Sequence, residues 1–263
     1  MKKKEINVLL IADIIGKPGL EITSHLLSHL KKKYHIDLCI ANGENGAAGK
    51  GLTEKIARMY FSIGIDVITS GNHIWDNKNF YSFLTVNDRI LRPYNYPEGN
   101  IGRGYTIINI ADHIQVLVLN LQGKTFMFPI DCPFLAARRV IEKYKNDVNI
   151  IIIDFHAEAS AEKMALAWYV DGEVSAVLGT HTHVQTADER ILPLGTAYIT
   201  DVGMTGSFDS VIGMKKQIAI ERFMKQVPIR YQPATDNVRL CAVVITIDIE
   251  TGKATAIKRL QLP

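Results

Sequence analysis

Cysteine is scarce in this 263-residue chain, and its few thiols follow no pattern. The three cysteines, Cys39, Cys132 and Cys241, stand far apart, and no CxxC pair occurs. This usage excludes a disulfide framework and argues against a thiolate metal site. We therefore expect a cytoplasmic protein whose thiols stay reduced.

Strong net charge and long apolar runs are also lacking. The net charge of +3 is too small to indicate nucleic-acid binding by itself, and the lysine runs at 2–4, 31–33 and 215–216 have no accompanying aromatic platform. Asp13 interrupts the first apolar run, and no segment approaches the ~20 apolar residues of a membrane span. We expect no membrane anchor, no cleaved signal peptide and no stable nucleic-acid complex, while a homo-oligomer stays open.

Three common catalytic motifs are absent as well. The glycine-rich stretch ANGENGAAGKG (41–51) fails the phosphate-loop pattern, since Glu44 stands where its first glycine belongs and Gly51 follows Lys50. Neither the GxSxG elbow of serine hydrolases nor the HExxH zinc motif occurs. The glycines around Glu44 instead predict a tight turn with close backbone approach.

The chain does contain a regular alternation of apolar strands and amphipathic helices. Strands are predicted at residues 6–12, 37–42, 65–70, 148–154, 174–179 and 196–201. Helices are predicted at residues 19–34, 53–64, 132–146 and 160–170. Two antiparallel hairpins are predicted, from residues 105–111 with 113–121 and from residues 238–249 with 253–262. This order predicts one α/β domain over residues 1–263, in which helices cover mixed sheets and the first strands are parallel.

Polar side chains occur where five of these strands end. They are Asp13, Glu44, Asn45, Asn72, His73, His156, His181 and His183. Any one of them alone would be interpreted as a cap, a turn former or a hydrogen-bonded core residue. Loops beyond the carboxyl ends of strands meet at one crevice in open α/β sheets, so we expect these side chains to lie close together. Buried polar groups that lie so close together must form hydrogen bonds with one another or bind an ion.

The chemistry of this set favours a pair of metal ions. Oxygen and imidazole ligands without thiolate suit manganese, iron or zinc. Seven candidate ligands are too many for one zinc ion, but they suit two ions that share a bridging carboxylate and lie ~3.5–4 Å apart. In an extended chain, His181 and His183 would point the same way with Cα atoms ~6.6 Å apart, which allows one shared ion or two. The other strand-end ligands favour one imidazole for each ion, and Thr182 between them is assigned no role in the chemistry.

The motifs that carry these residues resemble those of a known family. Asp13, GEN at 43–45, GNH at 71–73, His156 and GTHTH at 179–183 are similar, in this order, to the calcineurin-like metallophosphoesterases. The longer blocks GNHIWD, RPYNYP, DFHAEAS, GTHTHVQTADERILP and AYITDVGMTG resemble the bacterial YmdB-like branch of that superfamily. The resemblance implies a four-layer αββα sandwich with mixed sheets, and activity on cyclic nucleotides, 2′,3′-cyclic AMP included.

The resemblance also implies a role for each residue of the set. The first metal would be held by Asp13, Glu44, Asn45 and His183. The second would be held by Glu44, Asn72, His156 and His181, with Glu44 bridging. His73 would be the general acid, and the alternative is a hydrogen bond that orients a ligand. The superfamily implies two transition-metal ions per chain, iron first and manganese as the alternative.

Three hypotheses of function follow. The leading one is a dimetal phosphodiesterase for small phosphodiesters, 2′,3′-cyclic nucleotides above all, in which a water bridging the metals is the nucleophile and His73 protonates the leaving group. The second is a broad phosphomonoesterase or an enzyme acting on RNA ends. The third is a regulatory nucleotide-binding or RNA-related protein with slow turnover.

Overall fold

A computed structural model describes residues 3–110 and 114–263. Residues 1–2 and 111–113 lie outside the described residues, and with them the start of the lysine run at 2–4 and the turn of the first predicted hairpin. The strands are β1 (Glu5–Ile11), β2 (Ile36–Asn42), β3 (Val67–Thr69), β4 (Tyr105–Ile110), β5 (Ile114–Gln122), β6 (Ile150–His156), β7 (Ala176–Thr180), β8 (Arg190–Ile191), β9 (Ala197–Ile199), β10 (Gly206–Ser207), β11 (Val238–Asp248) and β12 (Ala254–Leu262). The helices are α1 (Gly16–Lys33), α2 (Glu54–Ser62), α3 (Tyr81–Val86), α4 (Pro133–Tyr144), α5 (Ser160–Tyr169) and α6 (Lys216–Lys225), with short 3₁₀ turns at Asn72–Trp75 and Lys78–Phe80.

Two mixed sheets of six strands each form the centre of the molecule. In the first sheet β1, β2 and β3 are parallel, as predicted, and β11 is antiparallel to β1, β10 and β12. In the second sheet β5, β6, β7 and β9 are parallel, while β4 and β8 are antiparallel edge strands. The pairing of β4 with β5 and of β11 with β12 confirms both predicted hairpins.

The alternation of side chains along the strands explains the layers. Val8 and Leu10 of β1 point into a core between the two sheets, whereas Leu9 and Ile11 point to the opposite face, beneath α1 and α2. Strand β6 divides its isoleucines in the same way, between the intersheet core and a third core beneath α4 and α5. Both strands are therefore apolar along almost their whole length, and the predicted four-layer αββα sandwich is confirmed.

Several boundaries differ from the prediction for identifiable reasons. Helix α1 begins at Gly16, three residues early, because Gly16 takes a φ of 55° and Pro18 suits a first helical turn that needs no N–H. Strand β6 runs on to His156 because Asp154 and His156 are buried and find partners inside the protein. Helix α6 was not predicted, since Ala219 is its only buried residue and gives no apolar stripe.

Membrane insertion was not expected from the sequence. Over residues 3–110 and 114–263, none of the helices combines the length and the apolar composition that crossing a bilayer requires.

Candidate active site

The carboxyl ends of strands from both sheets bring all eight predicted site residues to one edge of the sandwich. Asp13 follows β1, Glu44 and Asn45 follow β2, Asn72 and His73 follow β3, His156 ends β6, and His181 and His183 follow β7. Five of the eight line one cleft of about 600 Å³, and the other three are buried or lie just behind it. The five that line the cleft are Glu44, Asn45, His73, His181 and His183.

Four of the predicted ligands form what we call the Glu44 group: Glu44, Asn72, His156 and His181. His156 lies at its centre. Its Nε2 is 2.9 Å from Glu44 Oε1, 3.2 Å from Asn72 Oδ1 and 3.0 Å from His181 Nδ1. Ligand atoms of Glu44, His156 and His181 all lie within 4.8 Å of one another, the spacing of a metal site. These are the ligands predicted for the second metal.

The other three form what we call the Asp13 group: Asp13, Asn45 and His183. Asn45 Nδ2 is 3.3 Å from Asp13 Oδ1 and 3.4 Å from His183 Nε2, and His183 Nε2 is 3.7 Å from Asp13 Oδ1. The two groups adjoin, because the backbone N–H of His181 donates to Asp13 Oδ2 at 3.2 Å. The seven predicted ligands thus lie in two adjoining groups.

Each of the three ligand histidines is anchored through the ring nitrogen that faces away from its group. The outer contacts are His156 Nδ1 to Thr180 Oγ1 at 3.0 Å, His181 Nε2 to Glu158 Oε2 at 3.1 Å, and His183 Nδ1 to the Ile212 carbonyl at 3.0 Å. The Thr180 hydroxyl in turn donates to Asp154 Oδ1 at 2.8 Å, so it can accept from His156. A proton on each outer nitrogen turns the lone pair of the inner nitrogen toward the group, as metal-binding histidines require.

The Glu44 group fits a metal ion because its inner atoms are Lewis bases. Glu44 Oε1 is buried and has no hydrogen-bond donor with suitable geometry among the described residues, although His156 Nε2 is close. Glu44 Oε1, Asn72 Oδ1 and the two imidazole nitrogens thus bring lone pairs together at the floor of the cleft. Such an arrangement requires a proton or a cation, and the donor types suit a transition metal.

The Asp13 group fits a metal only after one rotation. Asn45 turns its amide nitrogen, not its oxygen, toward Asp13 and His183. An amide nitrogen donates hydrogen bonds and does not ligate a metal, whereas a half-turn of the amide would put Oδ1 in the same place. The prediction that Asn45 is a ligand therefore requires this rotation.

The ionisation of the buried groups favours one positive charge in each group. Burial raises the pKa of Asp13, but the close charge of His183 outweighs it and brings the pKa to about 2. Burial likewise opposes ionisation of Glu44, and the charge of His156 brings its pKa to about 2. Both carboxylates are therefore anions at neutral pH, which attracts cations to this buried place.

The pKa values of the three ligand histidines also indicate one positive charge in each group. Burial lowers the pKa of His183, but its bond to Asp13 raises it to about 9. Burial also opposes the charge of His156, and Glu44 raises its pKa above the ordinary value. His181 differs, because burial and the neighbouring His156 lower its pKa to about 3. Each group is thus arranged to hold one positive charge.

The loop that carries the two final histidines is not extended, so the prediction of extended spacing is wrong. Strand β7 ends at Thr180, and His181 and His183 have φ values of 101° and 64°. Residues other than glycine rarely adopt positive φ values. Each such residue costs about 1–3 kcal/mol of conformational energy and persists only where the surrounding structure holds it. The two imidazoles therefore reach different groups because the backbone turns between them.

Thr182, which was assigned no role, holds this loop in place. Its backbone N–H and its hydroxyl donate to Asp201 Oδ2 at 3.1 and 2.8 Å. Lys163 Nζ donates to the same oxygen at 2.7 Å, and both members of this ion pair are buried. The Asp201 carboxylate thus ties the loop backbone to helix α5 and holds the two histidines in their strained conformation.

His73 lies beside the Glu44 group but its ring belongs to neither group. Its backbone N–H donates to Glu44 Oε2 at 2.8 Å, and its ring Nδ1 donates to Asp76 Oδ2 at 2.9 Å. The ring lines the cleft, and no described residue bonds its Nε2. An imidazole held by a carboxylate through Nδ1 and open at Nε2 is arranged for proton transfer.

Gly71, two residues before His73, packs closely against the ring of His156. A side chain at Gly71 would put its Cβ 1.9 Å from His156 Cδ2. The Gly71 N–H also donates to Glu44 Oε2 at 2.6 Å, beside the N–H of His73. Glycine is therefore required here for the Glu44 group to close.

Sequence reasoning missed the residues that anchor the ligands. They are Asp154, Glu158, Lys163, Thr180 and Asp201. Asp154 could have been found, because residues two apart on a strand point to the same face and His156 is two residues further on. A lysine buried on α5, as Lys163 is, gives no such signal until its partner is known.

Comparison with known proteins agrees with the motifs. A protein from Bacillus subtilis called 2′,3′-cyclic-nucleotide 2′-phosphodiesterase is 49% identical over 97% of this chain and 96% of its own length. A crystal structure described as a novel phosphatase from Mycoplasma pneumoniae has a TM-score of 0.93 and 34% identity, covering 99% of this chain and 94% of that one. A crystal structure of a hypothetical protein from Thermus thermophilus has a TM-score of 0.90 and 40% identity, over 98% and 100% of the two chains.

These likenesses extend over nearly the whole molecule and include both sheets. The prediction of a phosphoric ester hydrolase is confirmed by the two relatives that carry a phosphoesterase name. The family model for YmdB-like proteins matches residues 9–260. The chain therefore belongs to the YmdB-like family, as its motifs predicted.

Proposed function

We propose that this protein is a dimetal phosphodiesterase that hydrolyses small phosphodiesters, with 2′,3′-cyclic nucleotides as its main substrates. The observation that carries the proposal is the pair of adjoining ligand groups beside His73 at one cleft. The name of the Bacillus subtilis relative, at 49% identity, supports the choice of cyclic nucleotide.

The ligands would be divided between two ions, with Glu44 shared. Asp13, Glu44, Asn45 and His183 would hold one, and Glu44, Asn72, His156 and His181 the other. When bound, the metals supply Lewis-acid polarisation of the phosphoryl oxygens and activation of water. The resemblance to the metallophosphoesterases implies iron as the first candidate and manganese as the second, and both accept mixed oxygen and imidazole ligands.

The two carboxylate oxygens of Glu44 have different environments. Oε2 accepts hydrogen bonds from the backbone N–H groups of Gly71 and His73, which fix the side chain. Oε1 accepts none among the described residues and stays available to metal. One oxygen therefore positions the carboxylate while the other binds.

His73 would protonate the leaving oxygen of the substrate. An alkoxide, such as the ribose 2′ oxygen, is a poor leaving group and gains from a positioned acid, typically by 10²–10⁴-fold. Asp76 accepts from Nδ1 and so directs Nε2 into the cleft. Lys50, whose Nζ is 3.7 Å from the same Asp76 carboxylate, adds positive charge beside the bound anion.

A substrate panel with metal analysis tests the proposal. Purified protein should contain close to two transition-metal ions per chain and should hydrolyse 2′,3′-cyclic AMP faster than 3′,5′-cyclic AMP, p-nitrophenyl phosphate or short 3′-phosphorylated RNA. Faster hydrolysis of the monoester would favour a phosphatase, the description carried by the Mycoplasma pneumoniae structure. Full activity after the metals are removed would contradict the proposal.

A further inference from the structure

The cleft has a second wall whose side chains belong to neither ligand group. Its volume of about 600 Å³ is well within the ~300–1,000 Å³ typical of pockets for whole small-molecule ligands. The metal ligands and His73 form one wall, and Ile212, Ala219, Arg222, Phe223 and Tyr231 line the other. A phosphate held at the first wall would lie between the two walls, within the same cleft as the side chains of the second.

The side chains of helix α6 divide into two adjacent faces. Ala219, Arg222 and Phe223, at spacings of three and four residues, share the face that lines the cleft. Ala219 is buried and anchors that face, whereas Phe223 is 71% exposed. Ile220 and Met224 are also exposed, but they are not among the cleft-lining residues. The open ring of Phe223 is thus presented to the cleft.

Arg222 is the cation of this cleft whose charge has no partner among the described residues. The other strong cation, Lys50, lies near Asp76, and the cleft histidines have oxygen partners on their outer nitrogens. No hydrogen bond or ion pair joins the Arg222 guanidinium to residues 3–110 or 114–263. An arginine left unpaired beside a cleft suits the planar, two-point binding of a phosphate or another anion.

Tyr231 fixes the second wall against the glycine-rich loop of the first. A Cβ at Gly49 would lie 2.1 Å from a carbon of the Tyr231 ring, so the ring packs directly on the loop backbone. Gly49 has a φ of 93°, a conformation that favours glycine. At Tyr231, the wall is therefore packed against the loop that carries Glu44 and Asn45.

We propose that Phe223 and Arg222 form the nucleoside-binding wall of the active site, where Phe223 stacks on the base and Arg222 binds the phosphate of a cyclic nucleotide. This inference rests on the proposed function, since it names the residues that would select a nucleotide among small phosphodiesters. Stacking on an aromatic ring tolerates any base, so the wall would favour nucleotides over phosphodiesters without a base and would discriminate weakly among bases.

Two substrates that differ only in the base test the stacking role. Wild-type protein and Phe223→Ala are compared on 2′,3′-cyclic AMP and on methyl riboside 2′,3′-cyclic phosphate, which has the same reacting group and no base. Phe223→Ala should lower kcat/KM for 2′,3′-cyclic AMP by about 5- to 150-fold, mainly through KM, and leave the abasic substrate unchanged. Met224→Ala, the exposed neighbour outside the cleft, is the matched control and should change neither.

Arg222→Met tests the phosphate role with Arg230→Met as control, since Arg230 is exposed and is not among the cleft-lining residues. Arg222→Met should raise KM for both cyclic phosphates, and Arg230→Met for neither. Equal effects of Phe223→Ala on the two substrates would overturn the stacking role. A lower molecular mass of both Phe223→Ala and Met224→Ala in light scattering would also overturn it, because that result would show that this face of helix α6 is a subunit interface. If wild-type protein hydrolysed neither substrate, the proposed function itself would fail.

Discussion

The Glu44 group and the Asp13 group use the same kinds of ligand but differ in how ready they are for a metal. In the Glu44 group, three acceptor atoms lie 2.9–3.2 Å from His156 Nε2. In the Asp13 group the spacing is 3.3–3.7 Å, and the amide nitrogen of Asn45 donates toward its neighbours. The first group already directs acceptor atoms at one point, whereas in the second Asn45 turns a donor toward the other ligands.

This difference shows that two sites with similar ligands need not bind a metal ion with similar affinity. Metal entry into the Glu44 group requires the loss of a proton, but entry into the Asp13 group also requires the rotation of Asn45. Rearrangement reduces affinity because its free energy is subtracted from that of binding. We therefore expect the Glu44 group to fill first when metal is added to the metal-free protein, and the predictions below test that asymmetry.

The largest effect is expected from replacing the shared carboxylate. Glu44→Gln should weaken the binding of both metals at once and remove nearly all turnover, because the amide lacks the negative charge that the two ions would share. Asp13→Asn should remove mainly the metal of the Asp13 group and leave about one ion per chain. Inductively coupled plasma mass spectrometry of both variants measures this, and equal losses would show that Glu44 does not bridge.

Replacing the proton donor should separate catalysis from metal binding. His73→Ala should keep both metals, because the ring of His73 lies in neither group, and should lower kcat by about 10²–10⁴-fold on substrates with alkoxide leaving groups. The loss should be much smaller on bis(p-nitrophenyl) phosphate, whose leaving group needs no proton. Unchanged rates on 2′,3′-cyclic AMP would show that His73 is not the general acid and that it only orients Glu44 through its backbone N–H.

Breaking the buried pair behind the histidine loop should affect both groups alike. Lys163→Met leaves the Asp201 carboxylate buried without its partner, which should reduce the free energy of unfolding by about 3–5 kcal/mol. Because the loop carries His181 and His183, both metals should bind more weakly. Lys225→Met is the control: its pair with Glu221 is exposed, so its loss should cost at most about 1 kcal/mol. Similar urea midpoints for the two variants would contradict this account.

The smallest effect is expected from an anchor of the Glu44 group alone. Glu158→Gln weakens the contact with His181 Nε2, and because Glu158 is half exposed we expect at most about a tenfold loss of manganese affinity in that group. The Asp13 group should be unaffected. Glu162→Gln is the matched control, since Glu162 accepts from the backbone N–H groups of Lys124 and Thr125 away from both groups. Calorimetric titration with manganese resolves the two sites, and weakening of both would contradict the separation.

The strand-end residues could be predicted because burial leaves so little choice. An apolar strand such as β1 or β6 must be covered on both faces, so its polar end residues lie at the edge where loops converge. The conformation of the loop at 181–183 could not be predicted, because its left-handed residues depend on Asp201 and Lys163, which are distant in sequence. Helix α6 was missed for a related reason, since it buries only Ala219 and leaves Phe223 open to the cleft.

Anomalous diffraction from crystals of the metal-loaded protein tests the central claim most directly. The account predicts two anomalous peaks per chain, ~3.5–4 Å apart, one within the Asp13 group and one within the Glu44 group, with Glu44 between them. At limiting metal the peak in the Glu44 group should be the stronger. A single peak at full loading, or peaks away from these seven side chains, would contradict the account.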